Sequence, residues 1–408
     1  MSQIKAPIVA VSMPRLAEGF ADGVITVAVD PTDLTADTVF VYWADADRQR
    51  LAGYNYLACK RSDGFSAFFE KKVKTATYYH PTGKPTVLTV PHNRVVPEGA
   101  AGLLIEAGAA EPVFVPLPTA PGKVKLGRKL MEFQVASDLH LERGREDPSF
   151  LHTAALFEDI AETSPDSAGL MIAGDITQHS RPYEYNLMNQ LVAAAHGIPE
   201  ITAVVGNHDL TGFRLEETEI PAYHSYFGDD PQYFDRWIGG YHFIFLALGP
   251  RDTVIPMEEE EVAWLREKLA EDADPSKPIF LFCHEGFKDT VAGCGEDEGW
   301  WGISDDGEAR SLLTAYPQAI LFTGHTHWEC ASLNQIYYAD ERMCNGVNTA
   351  SVSYLWTGLD RTQGEWLDGS EALYVEVYEN GSVLIRCRDI LRRTWVAEYV
   401  IFMPANKN

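Results

Sequence analysis

The sequence predicts an α/β protein: an N-terminal β-sandwich, then an α/β domain of two packed sheets flanked by helices. Three observations carry this. Up to Pro116 the chain is a series of short β-branched and aromatic runs without 3.6-residue periodicity. From Met131 apolar strands alternate with amphipathic helical stretches. From Cys344 the pattern returns to strands, enough for a second sheet packed on the first.

A chain of 408 residues exceeds what a single core usually fills, so two domains are expected. The net charge of -26 is uneven: residues 1–124 hold 12 basic and 12 acidic residues, so the rest of the chain carries all of it. Such an acidic second half repels phosphate polyanions and argues against long nucleic acid or an anionic membrane as a partner. A small anionic substrate is still admissible where cations are bound locally. The six cysteines show no CxxC pair or disulfide framework, and neither a leader-like apolar segment nor an apolar run near 18 residues is found. A cytoplasmic, reduced location is expected for the chain as given.

In the first part, the strand candidates include Val24–Val29, Thr38–Trp43, Phe65–Phe69, Val87–Val90 and Leu103–Glu106, with His80 and His92 as isolated turn or surface residues. Three prolines within Pro116–Pro121 mark a stiff linker, which sets the expected domains at 1–118, 119–127 (linker) and 128–408. Beyond it, strands are expected at Met131–Ala136, Gly169–Ala173, Ile201–Val205, His242–Leu248, Ile279–Phe282 and Ala319–Phe322. Helices are expected at Phe150–Thr163, Arg181–His196, Glu258–Glu271 and Asp306–Ala315. Glu258–Glu261 reads as an acidic first turn favoured by the helix dipole. The tail offers a strand over Val347–Ser353, a hairpin of Leu373–Tyr378 with Val383–Cys387 around Asn380-Gly381, and a last strand at Trp395–Phe402.

Five of the six central strands end in polar clusters: Asp138-Leu-His140, Gly174-Asp175, Gly206-Asn207-His208-Asp209, Cys283-His284 and Gly324-His325-Thr-His327. In open α/β sheets ligands bind beyond the carboxyl ends of strands, so these clusters should converge. Each Asp-x-His or His-x-His pair on an exiting strand would point the same way, because the strand period is two. Imidazole, carboxylate and amide in this number exceed one tetrahedral ion and suit two ions sharing a bridging carboxylate. Borderline ligands of this kind fit manganese, iron or zinc. Gly206 allows a sharp exit from its strand. Cys283 reads as a buried strand residue. His152, His179, His196, His224 and His242 read as structural or solvent-facing, with His179 the nearest to the rim.

The ordered set of these motifs resembles the calcineurin-like metallophosphoesterase superfamily over roughly residues 130 to 355. Its GNHD form and closing GHTH are most similar to the class III cyclic-nucleotide and glycerophosphodiester phosphodiesterases. The sandwich and linker resemble bacterial members with an N-terminal immunoglobulin-like domain. The resemblance implies that Asp138, His140 and His327 hold one metal, that Asn207, His284 and His325 hold the other, and that Asp175 bridges them. It further implies attack by a hydroxide between the ions, with His208 protonating the leaving alkoxide or binding phosphate and Asp209 orienting it.

Position 178 is glutamine. The chain therefore lacks the Gly-Asp-x-x-Asp pattern of the protein Ser/Thr phosphatases and the tyrosine ligand of purple acid phosphatases, which argues against both subfamilies. Ala350 stands where many relatives have glycine. The long loop Lys288–Glu308 carries Trp300 and Trp301, which would either stack a flat group or pack locally.

The expected function is a dinuclear phosphodiesterase acting on a small diester, with a 3',5'-cyclic nucleotide favoured. A phosphomonoesterase or nucleotidase, a nuclease, and a non-catalytic binding module whose sandwich contacts an unknown protein partner are the alternatives. The complete ligand set argues against the last.

Overall fold

A computed structural model describes residues 5–30, 39–60, 85–210, 233–246, 257, 259–296, 298, 302–303, 307–360 and 363–406. The expected strand Phe65–Phe69, His80, His224, Trp300 and Trp301 lie outside these residues. The chain divides into two compact units. One comprises Met1–Lys125, Thr362–Trp366 and Thr394–Val400, the other Leu126–Arg361, Leu367–Arg393 and Ile401–Asn408.

Among the described residues the first unit holds seven strands from the N-terminal part: β1 (Ile8–Ser12), β2 (Gly23–Ala28), β3 (Val39–Ala44), β4 (Tyr56–Lys60), β5 (Thr86–Val90), β6 (Gly102–Ala107) and β7 (Val113–Pro116). They form two antiparallel sheets, β1-β2-β5 and β4-β3-β6-β7. The core follows the period of two: Ile25 and Val27, Val41 and Trp43, Leu88 and Val90, and Leu103 and Ile105 all point inward. The proline-rich segment carries no strand beyond Pro116, and Gly122 donates its N–H to the Leu16 carbonyl at 2.8 Å. From the far end of the chain, Trp395 bridges to Tyr54 and Tyr399 to Arg94.

In the second unit, β8 (Lys129–Ala136), β9 (Leu170–Ala173) and β10 (Ile201–Val204) run parallel, and β17 (Glu371–Tyr378) pairs antiparallel with both β8 and β18 (Val383–Asp389). A second sheet has the order β11 (Phe234–Ile238), β12 (Tyr241–Phe245), β13 (Ile279–Phe282), β14 (Ala319–Thr323), β16 (Asn345–Asn348) and β15 (Ile336–Tyr337). Its four middle strands are parallel. The six central strands are thus shared between two sheets, three in each.

Aromatic residues fill the space between the sheets. Phe133 of β8 meets Phe243 and Phe280 edge-on at centroid distances of 5.0 and 4.9 Å, with Phe282 and Phe322 behind them. The alternate residues Ile279, Leu281 and Cys283 face the other way, into an apolar cluster with Leu265, Leu269, Leu312 and Leu313 of helices Glu259–Glu271 and Gly307–Thr314. Among the described residues, no helix is long and apolar enough to cross a membrane.

On the first sheet, helix Pro148–Thr163 starts where Asp147 caps the Ser149 N–H at 3.1 Å, with Pro148 in its first turn. The helix is tied down by a buried charge. Asp159 accepts from Arg388 Nε at 3.1 Å and Nη2 at 2.8 Å, and from the Tyr374 hydroxyl at 2.5 Å. Removing one partner of such a pair leaves an uncompensated buried carboxylate, so Arg388→Met is expected to destabilise by about 3–5 kcal/mol in denaturant unfolding. A loss under about 1 kcal/mol would show that the helix is held by apolar packing alone.

Candidate metal centre

Each cluster begins where a strand ends, and in three of the five the loop is strained. β8 stops at Ala136, β9 at Ala173 and β14 at Thr323, and beyond them Asp138, His140, Asp175, His325 and His327 all have positive φ, between 46° and 68°. The left-handed region is unfavourable for side chains bearing Cβ and persists only where the surroundings over-determine it. This corrects the strand-period expectation for Asp-x-His and His-x-His. Both pairs do converge, but through left-handed turns held by bonds such as Asp138 N–H to the Gly174 carbonyl (3.1 Å) and His140 N–H to the Asp175 carbonyl (3.0 Å).

Gly206 has a different reason from the one expected. Its φ is not positive; instead a Cβ there would lie 2.1 Å from Asp175 Oδ1. Gly324 is alike, with a Cβ 1.7 Å from Ser137 Oγ. At both positions glycine makes room for a ligand loop to approach.

Two groups of donors emerge. In the first, His140 Nε2 lies 3.0 Å from His327 Nε2, and Asp138 Oδ1 lies 3.1 Å from His327 Nε2 and 3.6 Å from His140 Nε2. In the second, Asn207 Oδ1 lies 3.1 Å from His284 Nε2 and 3.0 Å from His325 Nδ1. Asp175 Oδ2 sits between the groups, 3.1 Å from His284 Nε2 and 3.7 Å from His140 Nε2. Sets of three that could hold an ion include Asp138, His140 and His327, and Asp138, Asp175 and His284.

These separations bear on whether ions fit. Two donors ~2.1 Å from one ion and at right angles to each other stand ~3.0 Å apart, which is the spacing seen in both groups. Asp138 Oδ1 is buried, has no hydrogen-bond partner, and faces imidazole nitrogens, as an oxygen reserved for a cation would. The outer bonds set the tautomers. His284 Nδ1 donates to the Ala173 carbonyl at 2.7 Å and His327 Nδ1 to the Tyr354 carbonyl at 3.0 Å, so in each ring Nε2 carries the lone pair inward.

Electrostatics agree. Burial opposes ionisation of Asp138 and Asp175, yet the surrounding histidines outweigh it and hold both carboxyls below their usual range. Burial and the neighbouring His284 push His325 down to about 4, and burial lowers His140, so both favour the neutral form that ligates. At His284 burial is overcome by Asp175 and Asp138, and its pKa stands at about 10. The two carboxylates demand positive charge at that spot, and a metal ion answers the same demand as the proton. The donor set thus fits two transition ions of the manganese, iron or zinc kind.

His208 differs from the other four imidazoles. Its Nδ1 donates to the Gln178 carbonyl at 2.9 Å, with the Gln178 amide at 3.1 Å, and its backbone N–H donates to Asp175 Oδ1 at 2.8 Å. The ring stands edge-on to His140 at 4.7 Å. It can join His140 and Asp175 in a third possible ligand set, but with Nδ1 committed only Nε2 is available for chemistry. Asp209 departs from its expected role. Its buried carboxylate does not meet the His208 ring but accepts from the N–H groups of Ile176 (3.2 Å), Thr177 (3.0 Å) and Gly206 (3.1 Å) and from Thr177 Oγ1 (2.9 Å). Burial and the Asp175 charge push its pKa up to about 6.

Sequence reasoning missed the loop that follows β16. Ala350 has φ 61°, so the expected strand over Val347–Ser353 ends at Asn348. The chain then wraps the first donor group: Val352 N–H bonds the Ser137 carbonyl, and Ser353 N–H and Ser351 Oγ bond the Asp138 carbonyl. The Tyr354 ring stacks on His327 at 4.5 Å and on His140 at 5.7 Å. Of the other histidines, His152 is buried against the Val352 and Ser353 carbonyls, His179 pairs with Glu184, and His242 pairs with Asp235. Cys283 is buried, and burial raises its thiol pKa well above the ordinary value.

Residues 131–329 match the calcineurin-like phosphoesterase family. No curated protein matches the chain. Among solved structures it is similar to purple acid phosphatase PPD1 from yellow lupin (Lupinus luteus) seeds, at 12% identity over 97% of this chain and 74% of that one, with a TM-score of 0.49. The paired donor groups fall within the matched segment: residues 131–329 carry a calcineurin-like phosphoesterase domain, and the chain is a phosphoester hydrolase.

Proposed function

We propose that the centre hydrolyses a small phosphodiester, a 3',5'-cyclic nucleotide being the favoured case, and that the chain is nearest to the class III cyclic-nucleotide and glycerophosphodiester phosphodiesterases. Asp138, His140 and His327 would hold one ion, Asn207, His284 and His325 the other, with Asp175 shared. Bound there, the two ions supply Lewis acidity toward phosphate oxygens and lower the pKa of water. The chain's own residues do the rest.

The observation that carries this reading is the place of His208. It adjoins both groups, is partly exposed, and has Nδ1 occupied by Gln178 so that Nε2 is the nitrogen free to meet a substrate. A leaving alkoxide needs a proton, and a positioned imidazole is suited to give it. Charge also supports a diester. Among the described residues the ion-pair partners of Asp138 and Asp175 are all histidines, so with two divalent ions the carboxylates leave a net charge of about +2. A hydroxide nucleophile brings this to about +1, which a monoanionic diester balances and a dianionic monoester exceeds. The acidity of the chain favours a small substrate over a polyanion.

The N-terminal sandwich is proposed to be an immunoglobulin-like module, and the whole a cytoplasmic enzyme. The test is a side-by-side assay of bis-nitrophenyl phosphate, nitrophenyl phosphate and cyclic AMP with manganese, iron or zinc. Turnover of the two diesters well above the monoester is expected. Preference for nitrophenyl phosphate would make the enzyme a monoesterase, and no turnover of any would sink the catalytic reading.

A further inference from the structure

We infer that Thr177 is a positioning residue for His208, acting through a closed ring of hydrogen bonds that also takes in Asp209 and Gln178. The inference rests on the reading of His208 as the group that meets the substrate.

The ring is built from two strand exits, one after β9 and one after β10. The Thr177 hydroxyl donates to Asp209 Oδ1 at 2.9 Å, and the Thr177 N–H donates to the same oxygen at 3.0 Å. Its oxygen in turn accepts the Ser180 N–H at 3.0 Å, so one buried hydroxyl fastens both ends of residues 177–180. Between those ends lies Gln178, whose carbonyl meets His208 Nδ1 at 2.9 Å. His208 directly precedes Asp209, which closes the ring.

The loop has a further support, since the Gln178 N–H bonds the Leu141 carbonyl at 3.1 Å. The threonine hydroxyl is the part that links Asp209 to the turn holding Gln178. Without it Asp209 loses a donor and the Ser180 N–H loses its acceptor, both inside the protein. The cheapest relief is movement of the 177–180 turn, which carries the Gln178 carbonyl away from His208 Nδ1. The imidazole would then lose its fixed tautomer and aim, with no metal ligand altered. This role belongs to a residue whose type gave no catalytic signal.

The test is a double-mutant cycle on the full-length, metal-loaded enzyme, with methyl aryl phosphodiesters of graded leaving-group pKa as substrates. Thr177→Val is expected to keep its metal content and to lose about 10–100-fold in kcat, the range typical of lost outer support to a site. Thr177→Ser is expected to retain turnover near that of the parent. In a His208→Ala background Thr177→Val should cost nothing further.

An equal loss in both backgrounds, or no loss in either, would overturn the inference, because a merely structural effect does not depend on His208. A loss in Thr177→Ser as large as in Thr177→Val would overturn it as well, and that comparison stands even where the valine variant folds poorly. The leaving-group series separates this from the reading of His208 itself. If His208→Ala slows all esters equally while Thr177→Val stays silent in that background, proton donation fails and the positioning of His208 stands.

Discussion

Asp175→Asn is expected to empty both metal positions together and to reduce turnover by at least as much as any other single change in the centre. The geometry gives the reason. Oδ2 stands 3.1 Å from His284 Nε2 and 3.7 Å from His140 Nε2, within reach of both donor groups, while Oδ1 accepts the His208 N–H at 2.8 Å. Asparagine keeps the shape but removes the charge, and its NH₂ must take one of the two places. On the Oδ2 side it presents protons to the ions; on the Oδ1 side it opposes the His208 N–H. Elemental analysis should show both ions lost in proportion. A variant that lost one ion and kept the other would show that Asp175 belongs to one site alone.

His208→Ala should behave in the opposite way toward metal. Both ions are expected to remain, because neither donor group needs the ring and its Nδ1 is held by Gln178. Turnover of esters with poor leaving groups should fall by about 10²–10⁴-fold, the usual contribution of a positioned general acid. Activated aryl esters, whose leaving group departs without a proton, should fall less. Equal losses across the series would assign His208 to phosphate binding, and loss of an ion would make it a ligand in the third possible set.

Much of the centre is visible in the sequence because it obeys a local rule. Strands ended in residues that coordinate metals, and strand ends on one rim converge. Type and place mark out the strand-end clusters, the family resemblance picks Asp138, His140, Asp175, Asn207, His284, His325 and His327 from them, and the structure brings their donor atoms together. The alternation of Phe280 and Phe282 with Ile279 and Leu281 likewise marks a strand buried on both faces.

What the sequence hid is non-local or conformational. The bonds of Asp209 reach Ile176 and Thr177, more than 30 residues away, and no spacing in the chain announces them. Local adjacency suggested His208 instead, but side chains that are neighbours in a four-residue helical turn do not face each other. The left-handed backbone at Asp138, His140, Asp175, His325 and His327 is uncommon for any residue bearing a Cβ and is held by surrounding bonds. For the same reason the strand expected through Ser353 stops at Asn348, and the loop beyond it carries Tyr354 onto the ligand rings.

The most direct test of the account is the metal content of the enzyme purified without chelators and assayed as isolated. Two transition ions per chain are expected in active protein, and chelation should remove ions and turnover together. Fully active protein with a stable stoichiometry near zero would contradict the two-ion centre, whatever the substrate proves to be.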